Sequence, residues 1–127
     1  MKAIPKEVTV NSDQSLTDLQ RQIRKFCDER DWDQFHNAKD LSISLALEAA
    51  EVLEHFQWKN AAEIAEHIEK NRSDVGEELA DVFYWVLLLA NKTGVDLLDA
   101  FQKKMDKNEI KYPIEKAKGS HKKYTEL

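Results

Sequence analysis

The sequence predicts an all-α protein built as a bundle of four to five helices. Apolar residues recur at steps of three and four in several long stretches, which is the period of an amphipathic helix. The 127 residues include only three glycines and two prolines, few turn-forming residues for an all-β chain with many hairpins. No stretch shows the alternation of apolar and polar residues that marks a half-buried strand. These three observations favour helices packed on helices.

The two ends of the chain carry the weakest helical pattern. Residues 1–14 have no sustained periodicity, so we expect an irregular N-terminal arm. Residues 114–127 follow a proline and contain Gly119 and Ser120, so we expect a loosely structured C-terminal tail. Because a chain of this length has the usual size of one domain, we expect residues 1–127 to form a single helical domain.

The first helix is predicted from Ser15 to about Arg30. Its apolar stripe follows helical spacing, with polar residues on the other face, and consists of Leu16, Leu19, Ile23 and Phe26. Residues 31–37, DWDQFHN, break this pattern and are expected to form a connecting loop.

The second helix is predicted from about Asp40 to Phe56. It is apolar over most of its circumference, so we expect it to lie centrally and to be covered on several sides. A short helix, AAEIAEHIEK, is predicted after Trp58, with Asn60 as its N-cap.

A long helix is predicted from Asp74 to about Lys92. Asp74 is the expected N-cap with Glu77 as its capping-box partner, and Gly94 suits the position just after the helix. The last long helix is expected to start after Val95, with Asp96 as its N-cap, and to end before Pro113. We expect it to bury the apolar stripe Leu98, Phe101 and Met105.

Two central helices each carry a pair of acids within an apolar run. Glu48 and Glu51 lie in LSISLALEAAEVLEHFQW, and Glu78 and Asp81 lie in EELADVFYWVLLLA. Residues three apart project from one face of a helix, so each pair forms a fork of two carboxylates. Burying four carboxylates costs several kcal/mol each unless they take up protons or are compensated by opposite charge. The pattern therefore predicts a metal site between the two helices.

The chemistry of the acids limits which metal ions are expected to bind, but it does not identify the function. All-oxygen ligation favours a hard cation, Mg²⁺ or also Mn²⁺. A di-iron carboxylate bundle is a rival, but that class uses Glu-x-x-His pairs, whereas both pairs here are acid with acid. The residues alone also leave open a non-catalytic helical interaction protein, whose acids would pair with lysines or arginines of a partner.

Charge and cysteine content argue against several classes of protein. A net charge of −5 and a pI near 5.4 disfavour binding to duplex nucleic acid. The single cysteine, Cys27, has no partner for an internal disulfide or a thiolate zinc site. No apolar run reaches the length of a signal peptide or a membrane span, so we expect a cytoplasmic protein.

The two acidic pairs also carry a family resemblance. Glu48-x-x-Glu51 and Glu78-x-x-Asp81, separated by 26 residues, resemble the signature of the MazG-like nucleotide pyrophosphohydrolases, within the all-α nucleoside triphosphate pyrophosphatase superfamily. Several segments are similar to the dCTP pyrophosphatase branch, and the similarity runs from about residue 16 to the C-terminus. These segments are ERDWDQFH, EHFQWK, EELADV, KMDKNEIKYP and KYTEL.

The resemblance implies an enzyme that hydrolyses a nucleoside triphosphate, (d)NTP, to the monophosphate and pyrophosphate. It implies Mg²⁺ held by the four acids, one of which orients or deprotonates the attacking water. It also implies a preference for dCTP or a related or modified deoxynucleotide, and a role in cleansing the nucleotide pool. A relative that acts on dUTP or on diphosphates stays open as an alternative.

The resemblance further implies which side chains bind the substrate. The positions that correspond to the surroundings of the base are Trp32, His36, Trp58 and Trp85. The positions that correspond to triphosphate contacts are Lys104, Asn108 and Lys111, with Tyr112 as a further candidate. Family members are homo-oligomers, dimers or tetramers, in which helices of neighbouring subunits help to close the pocket. Ile23 and Trp85 replace a histidine and a tyrosine of vertebrate relatives, so base preference stays open.

Overall fold

The computed structural model describes residues 14–127, and the expected N-terminal arm lies outside this range except for Gln14. The described residues form six α-helices and two short 3-10 turns, with no strand among them. This confirms the all-α class. The chain divides into two compact units, one that ends at Gly94 and one from Val95 to Leu127. The expectation of a single domain stays a prediction.

The first unit is built around its longest helix. Its helices are α1 (Leu16–Glu29), α2 (Ala38–Glu54), α3 (Ala61–Lys70) and α4 (Arg72–Thr93). The segment expected to be a loop between α1 and α2 contains a 3-10 turn, Asp33–Phe35. Helix α4 packs against α1, α2 and α3, most extensively against α2. The central position therefore belongs to α4, whereas the sequence had favoured α2.

Side-chain caps explain where three of the helices begin. Ser15 and Asp18 form a capping box at α1, in which the Asp18 backbone N–H donates to Ser15 Oγ at 3.2 Å. Asn60 accepts in the same way from the backbone N–H of Glu63 at 2.9 Å, as the sequence predicts. Helix α2 begins two residues earlier than expected, because Asn37 caps it.

The predicted N-cap of α4 is wrong. The helix begins at Arg72, which places Asp74 inside its first turn. Only Asn71 separates α3 from α4, and its backbone is not in the extended conformation of an N-cap. Its side chain instead donates to the His67 carbonyl oxygen at 3.2 Å. At the other end, Gly94 adopts φ +71° and ends the helix in the left-handed conformation, as predicted.

The buried core of the first unit is small and lies where α1, α2 and α4 meet. Cys27, Leu41 and Leu88 form its buried cluster, with Ile23 and Tyr84 packed against it. The expectation that α2 is covered on several sides is wrong, because α4 covers mainly one face of it. Apolar residues on the other face are exposed, namely Ile43, Leu47 and Leu53.

The second unit contains α5 (Leu97–Lys111), the one-turn helix α6 (Ile114–Ala117) and a 3-10 turn, Tyr124–Glu126. The C-terminal tail is therefore more regular than the sequence suggested. The rings of Tyr112 and Tyr124 meet edge to face at 6.0 Å. The α5 stripe expected to be buried is exposed, because the unit supplies no second long helix to cover it, and consists of Leu98, Phe101 and Met105.

None of the helices between residues 14 and 127 has both the length and the apolar character needed to cross a membrane.

Candidate active site

Helices α2 and α4 bring the four predicted acids together. One oxygen from each of Glu48, Glu51, Glu78 and Asp81 lies within 4.8 Å of the others. Glu48 and Glu78 are partly buried, whereas Glu51 and Asp81 are exposed. The arrangement follows from local geometry. The two acids of each pair are three positions apart and so project from one face of their helix, and α2 is the main neighbour of α4.

Crowding and burial disfavour full ionisation of the cluster. The pKa of Glu48 is raised, first by burial and then by the neighbouring Glu51 carboxyl, while the indole of Trp85 opposes the shift. The pKa of Glu78 is raised to about 7, first by the neighbouring Glu51 carboxyl and then by burial and the other charges nearby. In the absence of positive charge the cluster therefore retains protons near neutral pH.

The donor set fits a divalent cation. Glu48 Oε2 and Glu78 Oε2 are buried and have no hydrogen-bond partner in the described part of the chain. An unpartnered buried carboxylate oxygen is costly, and a cation would satisfy both atoms and the like charges around them. With four carboxylates and no nitrogen or sulfur donor in the group, hard cations are favoured over zinc.

A cavity of about 640 Å³ opens beside the carboxylates within the first unit. Glu48 and Asp81 lie in its lining, and most of the remaining wall is apolar and comes from α1 and α4. Its volume lies within the range of about 300–1,000 Å³ that is usual for small-molecule sites. An acidic cluster at the edge of an apolar cavity suits a ligand with one apolar part and one part that binds cations.

Five aromatic rings follow one another along this site, each meeting the next edge to face. The distance between ring centres is 5.6 Å from Trp32 to Phe26 and 6.5 Å from Phe26 to Tyr84. It is 5.0 Å from Tyr84 to Trp85 and 6.2 Å from Trp85 to His36. The first four rings belong to residues that line the cavity. Edge-to-face packing fixes the rings against one another. The cavity therefore has a stiff aromatic wall suited to a flat ligand.

The structure brings only some of the predicted base contacts to the cavity. Trp32 and Trp85 line it. His36 packs on Trp85, and its Nδ1 is buried with no hydrogen-bond partner in the described range. Trp58 is 91% exposed, adopts φ +70° and is not part of the cavity wall. Within one chain, the ring of Trp58 is therefore displayed to solvent.

The predicted triphosphate contacts all belong to the second unit. Lys104, Asn108 and Lys111 share one stripe of α5 by their spacing of four and three residues. Tyr112 follows the helix, and its backbone N–H donates to the Asn108 carbonyl oxygen at 2.8 Å. Lys111 Nζ lies 4.7 Å from the centre of the Tyr124 ring. Their roles toward a triphosphate stay predictions.

The sequence interpretation did not assign several cavity residues to the site, among them Gln22, Phe26 and Tyr84. It assigned Phe26 to the apolar stripe of the first helix and did not single out the other two. Helical spacing places Gln22 on the same face as Leu19 and Phe26, because it lies three residues after the first and four before the second. The missing information was that this face of α1 borders a cavity rather than solid core.

Comparisons with known proteins find similar proteins over most of this chain. A sequence model of the MazG-like family matches residues 43–127. The chain is 41% identical over 115 residues to dCTP pyrophosphatase 1 of Rattus norvegicus, covering 89% of this chain and 68% of the relative. It is 38% identical over 127 residues to dCTP pyrophosphatase 1 of Homo sapiens, covering 98% and 75%. The crystal structure of a pyrophosphatase from Archaeoglobus fulgidus matches with a TM-score of 0.75 and 35% identity, covering 84% of this chain and 99% of that one.

Proposed function

Because this chain belongs to the MazG-like family, we propose that it is a nucleoside triphosphate pyrophosphohydrolase, which converts (d)NTP and water to (d)NMP and pyrophosphate. Its substrates are dCTP and related or modified deoxynucleotides, in line with the name of its relatives. The observation that carries the proposal is the cluster of four carboxylates at the edge of an aromatic-walled cavity. Such an activity would cleanse the nucleotide pool.

The proposed cofactor is Mg²⁺, with Mn²⁺ as the alternative, held by Glu48, Glu51, Glu78 and Asp81. When bound, the cation neutralises triphosphate charge and lowers the pKa of water. The all-oxygen donor set and the two unpartnered buried oxygens support this assignment.

The four carboxylates are proposed to have different roles because they lie at different positions relative to the cavity. Glu48 and Asp81 line the cavity, so their carboxylates are placed to orient the attacking water beside the substrate. The raised pKa of Glu48 makes its carboxylate a stronger base than that of an ordinary glutamate, which favours proton acceptance there. Glu51 and Glu78 do not line the cavity and would complete the ligand set.

The aromatic wall is proposed to hold the base. Trp32 and Trp85 would stack on its faces, with His36 supporting Trp85 from behind. Trp58 is proposed as a further base contact that comes from a neighbouring subunit, because its ring is exposed within one chain. Triphosphate contacts are proposed for Lys104, Asn108, Lys111 and Tyr112, whose ammonium, amide and hydroxyl groups suit phosphate oxygens.

A homo-oligomer, dimer or tetramer, is part of the proposal. The apolar face of α2 that α4 leaves uncovered would be buried against a second copy, and its exposed residues are Ile43, Leu47 and Leu53. A cytoplasmic location and the absence of duplex nucleic-acid partners also belong to the proposal, the latter because of the net charge of −5.

The proposal is tested by incubating the purified full chain with Mg²⁺ and a panel of deoxynucleoside triphosphates and diphosphates. We expect dCTP to yield dCMP and pyrophosphate in equal amounts, with no inorganic phosphate. Asp81→Asn, which keeps the shape of the side chain and removes its charge, is expected to abolish turnover and saturable Mg²⁺ binding in calorimetry. A folded protein that leaves every nucleotide intact would contradict the proposal.

A further inference from the structure

We propose that Gln22 reads the hydrogen-bonding edge of the nucleotide base, an inference that rests on the proposed function. Gln22 lies on α1 and lines the same cavity as Trp32, Glu48 and Asp81. Neither the acidic motif nor the aromatic positions of the sequence point to this residue. Gln22 would thereby determine which base the cavity selects.

Four of the other polar side chains of the cavity have neighbours of their own, and a fifth, the indole of Trp32, offers a donor but no acceptor. The Tyr84 hydroxyl lies 3.4 Å from Cys27 Sγ, within hydrogen-bond distance. Glu48 and Asp81 belong to the carboxylate cluster, and the Trp85 indole acts on Glu48. In the described part of the chain, no hydrogen bond engages the Gln22 carboxamide, which leaves it available to a ligand.

The remaining wall cannot replace it. Ile23, the next residue on α1, also lines the cavity and carries no hydrogen-bonding group, and Phe26 and Leu19 offer only apolar surface. Such walls cover the faces of a base, but they leave the donors and acceptors of its edge unpaired, which is unfavourable away from water. Gln22 is the one carboxamide among the residues that line the cavity, and it offers a donor and an acceptor to such an edge.

A carboxamide supplies one donor and one acceptor side by side. Cytosine presents an amino donor beside a ring-nitrogen acceptor, so the two groups pair. Uracil presents the reverse order, and rotation of the carboxamide by half a turn matches it as well. A site read by Gln22 therefore accepts both dCTP and dUTP and recognises the group at position 4 of the pyrimidine in each.

The experiment combines a change in the protein with a change in the substrate. The kcat/KM of the full chain with Mg²⁺ is measured for dCTP and for its analogue without the 4-amino group, in the wild type and in Gln22→Leu. In the wild type, loss of the amino group is expected to lower kcat/KM by about tenfold, the usual size for one hydrogen bond. In Gln22→Leu the kcat/KM values for the two substrates are expected to be equal. For dCTP, the substitution is expected to raise KM and to leave kcat nearly unchanged.

Gln20→Leu is the matched control, since Gln20 lies on the same helix and is not part of the cavity wall. It is expected to keep the wild-type penalty for the missing amino group. Gln22→Met repeats the test with an unbranched side chain, should leucine disturb α1. Circular dichroism of each variant confirms that the helices are retained.

The outcomes separate the two proposals. If the wild type cleaves dCTP and Gln22→Leu and Gln22→Met both retain the full penalty for the missing amino group, Gln22 does not read the base, although the enzyme assignment stands. A wild type that rejects dUTP more than about 100-fold, well above the value of one hydrogen bond, overturns the rotating-carboxamide account. If the wild type cleaves no nucleotide, both proposals fall.

Discussion

Glu51 on α2 and Glu78 on α4 bring their carboxyl groups together across the two helices, and the Glu51 carboxyl is the largest cause of the rise in the Glu78 pKa to about 7. Two carboxyl groups held this close disfavour full ionisation, so one of them retains a proton more readily than an isolated glutamate does. The metal-free cluster therefore carries a proton at pH values where an ordinary glutamate is ionised. Any cation that binds the cluster must displace it.

The first prediction is that cation binding releases protons in a pH-dependent way. Below pH 7 Glu78 is protonated in the metal-free protein, so Mg²⁺ competes with a proton and binds more weakly. As pH rises through about 7, the proton is lost and the affinity is expected to increase and then level off. Calorimetry at pH 6 and pH 8, each in two buffers of different ionisation enthalpy, measures the protons released.

Glu78→Gln serves as the control, because it removes the group that holds the proton. In this variant the difference in proton release between pH 6 and pH 8 is expected to shrink. Equal Mg²⁺ affinity at both pH values in the wild type would contradict the assignment of the shared proton to the metal site.

The second prediction separates catalysis from stability at Glu51. Glu51→Gln is expected to lower kcat by about 100-fold or more, because it removes a charged ligand of the proposed metal site. In metal-free buffer at pH 8 its free energy of unfolding is expected to equal or exceed that of the wild type, since one of the mutually repelling charges is gone. Nucleotide turnover and urea denaturation measure the two effects.

Glu54→Gln is the matched control on the same helix. Glu54 is an exposed acid at the end of α2 and does not belong to the carboxylate cluster. This variant is expected to keep its activity within about twofold, as for most surface substitutions. Should Glu51→Gln unfold the metal-free protein, Glu51 would be a structural rather than a functional acid.

The third prediction concerns Trp58, whose ring is 91% exposed while its backbone has φ +70°. Removing the ring by Trp58→Ala is expected to leave the free energy of unfolding of the single chain nearly unchanged. Trp58→Gly is expected to be more stable than Trp58→Ala by about 1 kcal/mol, because glycine tolerates this left-handed conformation without strain. Both variants are expected to raise the KM for dCTP.

Urea denaturation compares the stabilities, and steady-state kinetics compares the KM values. The rise in KM is expected to be about 5- to 100-fold, in line with the stacking of one base on an aromatic ring. An unchanged KM in both variants would remove Trp58 from the base site. Equal stability of the alanine and glycine variants would contradict the strain assigned to its backbone.

Local signals in the sequence were enough to predict the helices and the acidic cluster. Apolar spacing gave the helices their positions, and the structure confirms the predicted start near Ser15 and the predicted cap Asn60. Glu48, Glu51, Glu78 and Asp81 could be grouped because spacing of three on a helix fixes their direction. These features depend on neighbours within one turn of a helix.

Features that depend on several elements at once could not be predicted. The N-cap of α4 was misplaced because Asn71 is both the last residue before α4 and the C-cap of α3. The rules for N-caps consider one helix at a time and do not predict a shared residue. Gln22 was missed because its role depends on a cavity between α1 and α4. Burial of the α5 stripe Leu98, Phe101 and Met105 was expected from periodicity, but these residues are exposed. Periodicity shows that a helix face is apolar and does not show which element covers it.

Helix α4 keeps its acids and its buried residues in different halves. Glu78 and Asp81 lie in the first half, while Leu87, Leu88 and Ala90 are buried further along the same helix. Substitutions at the acids can therefore change the proposed metal site while leaving these buried residues in place. A chain arranged in this way can change its ion-binding groups during evolution without first losing its structure.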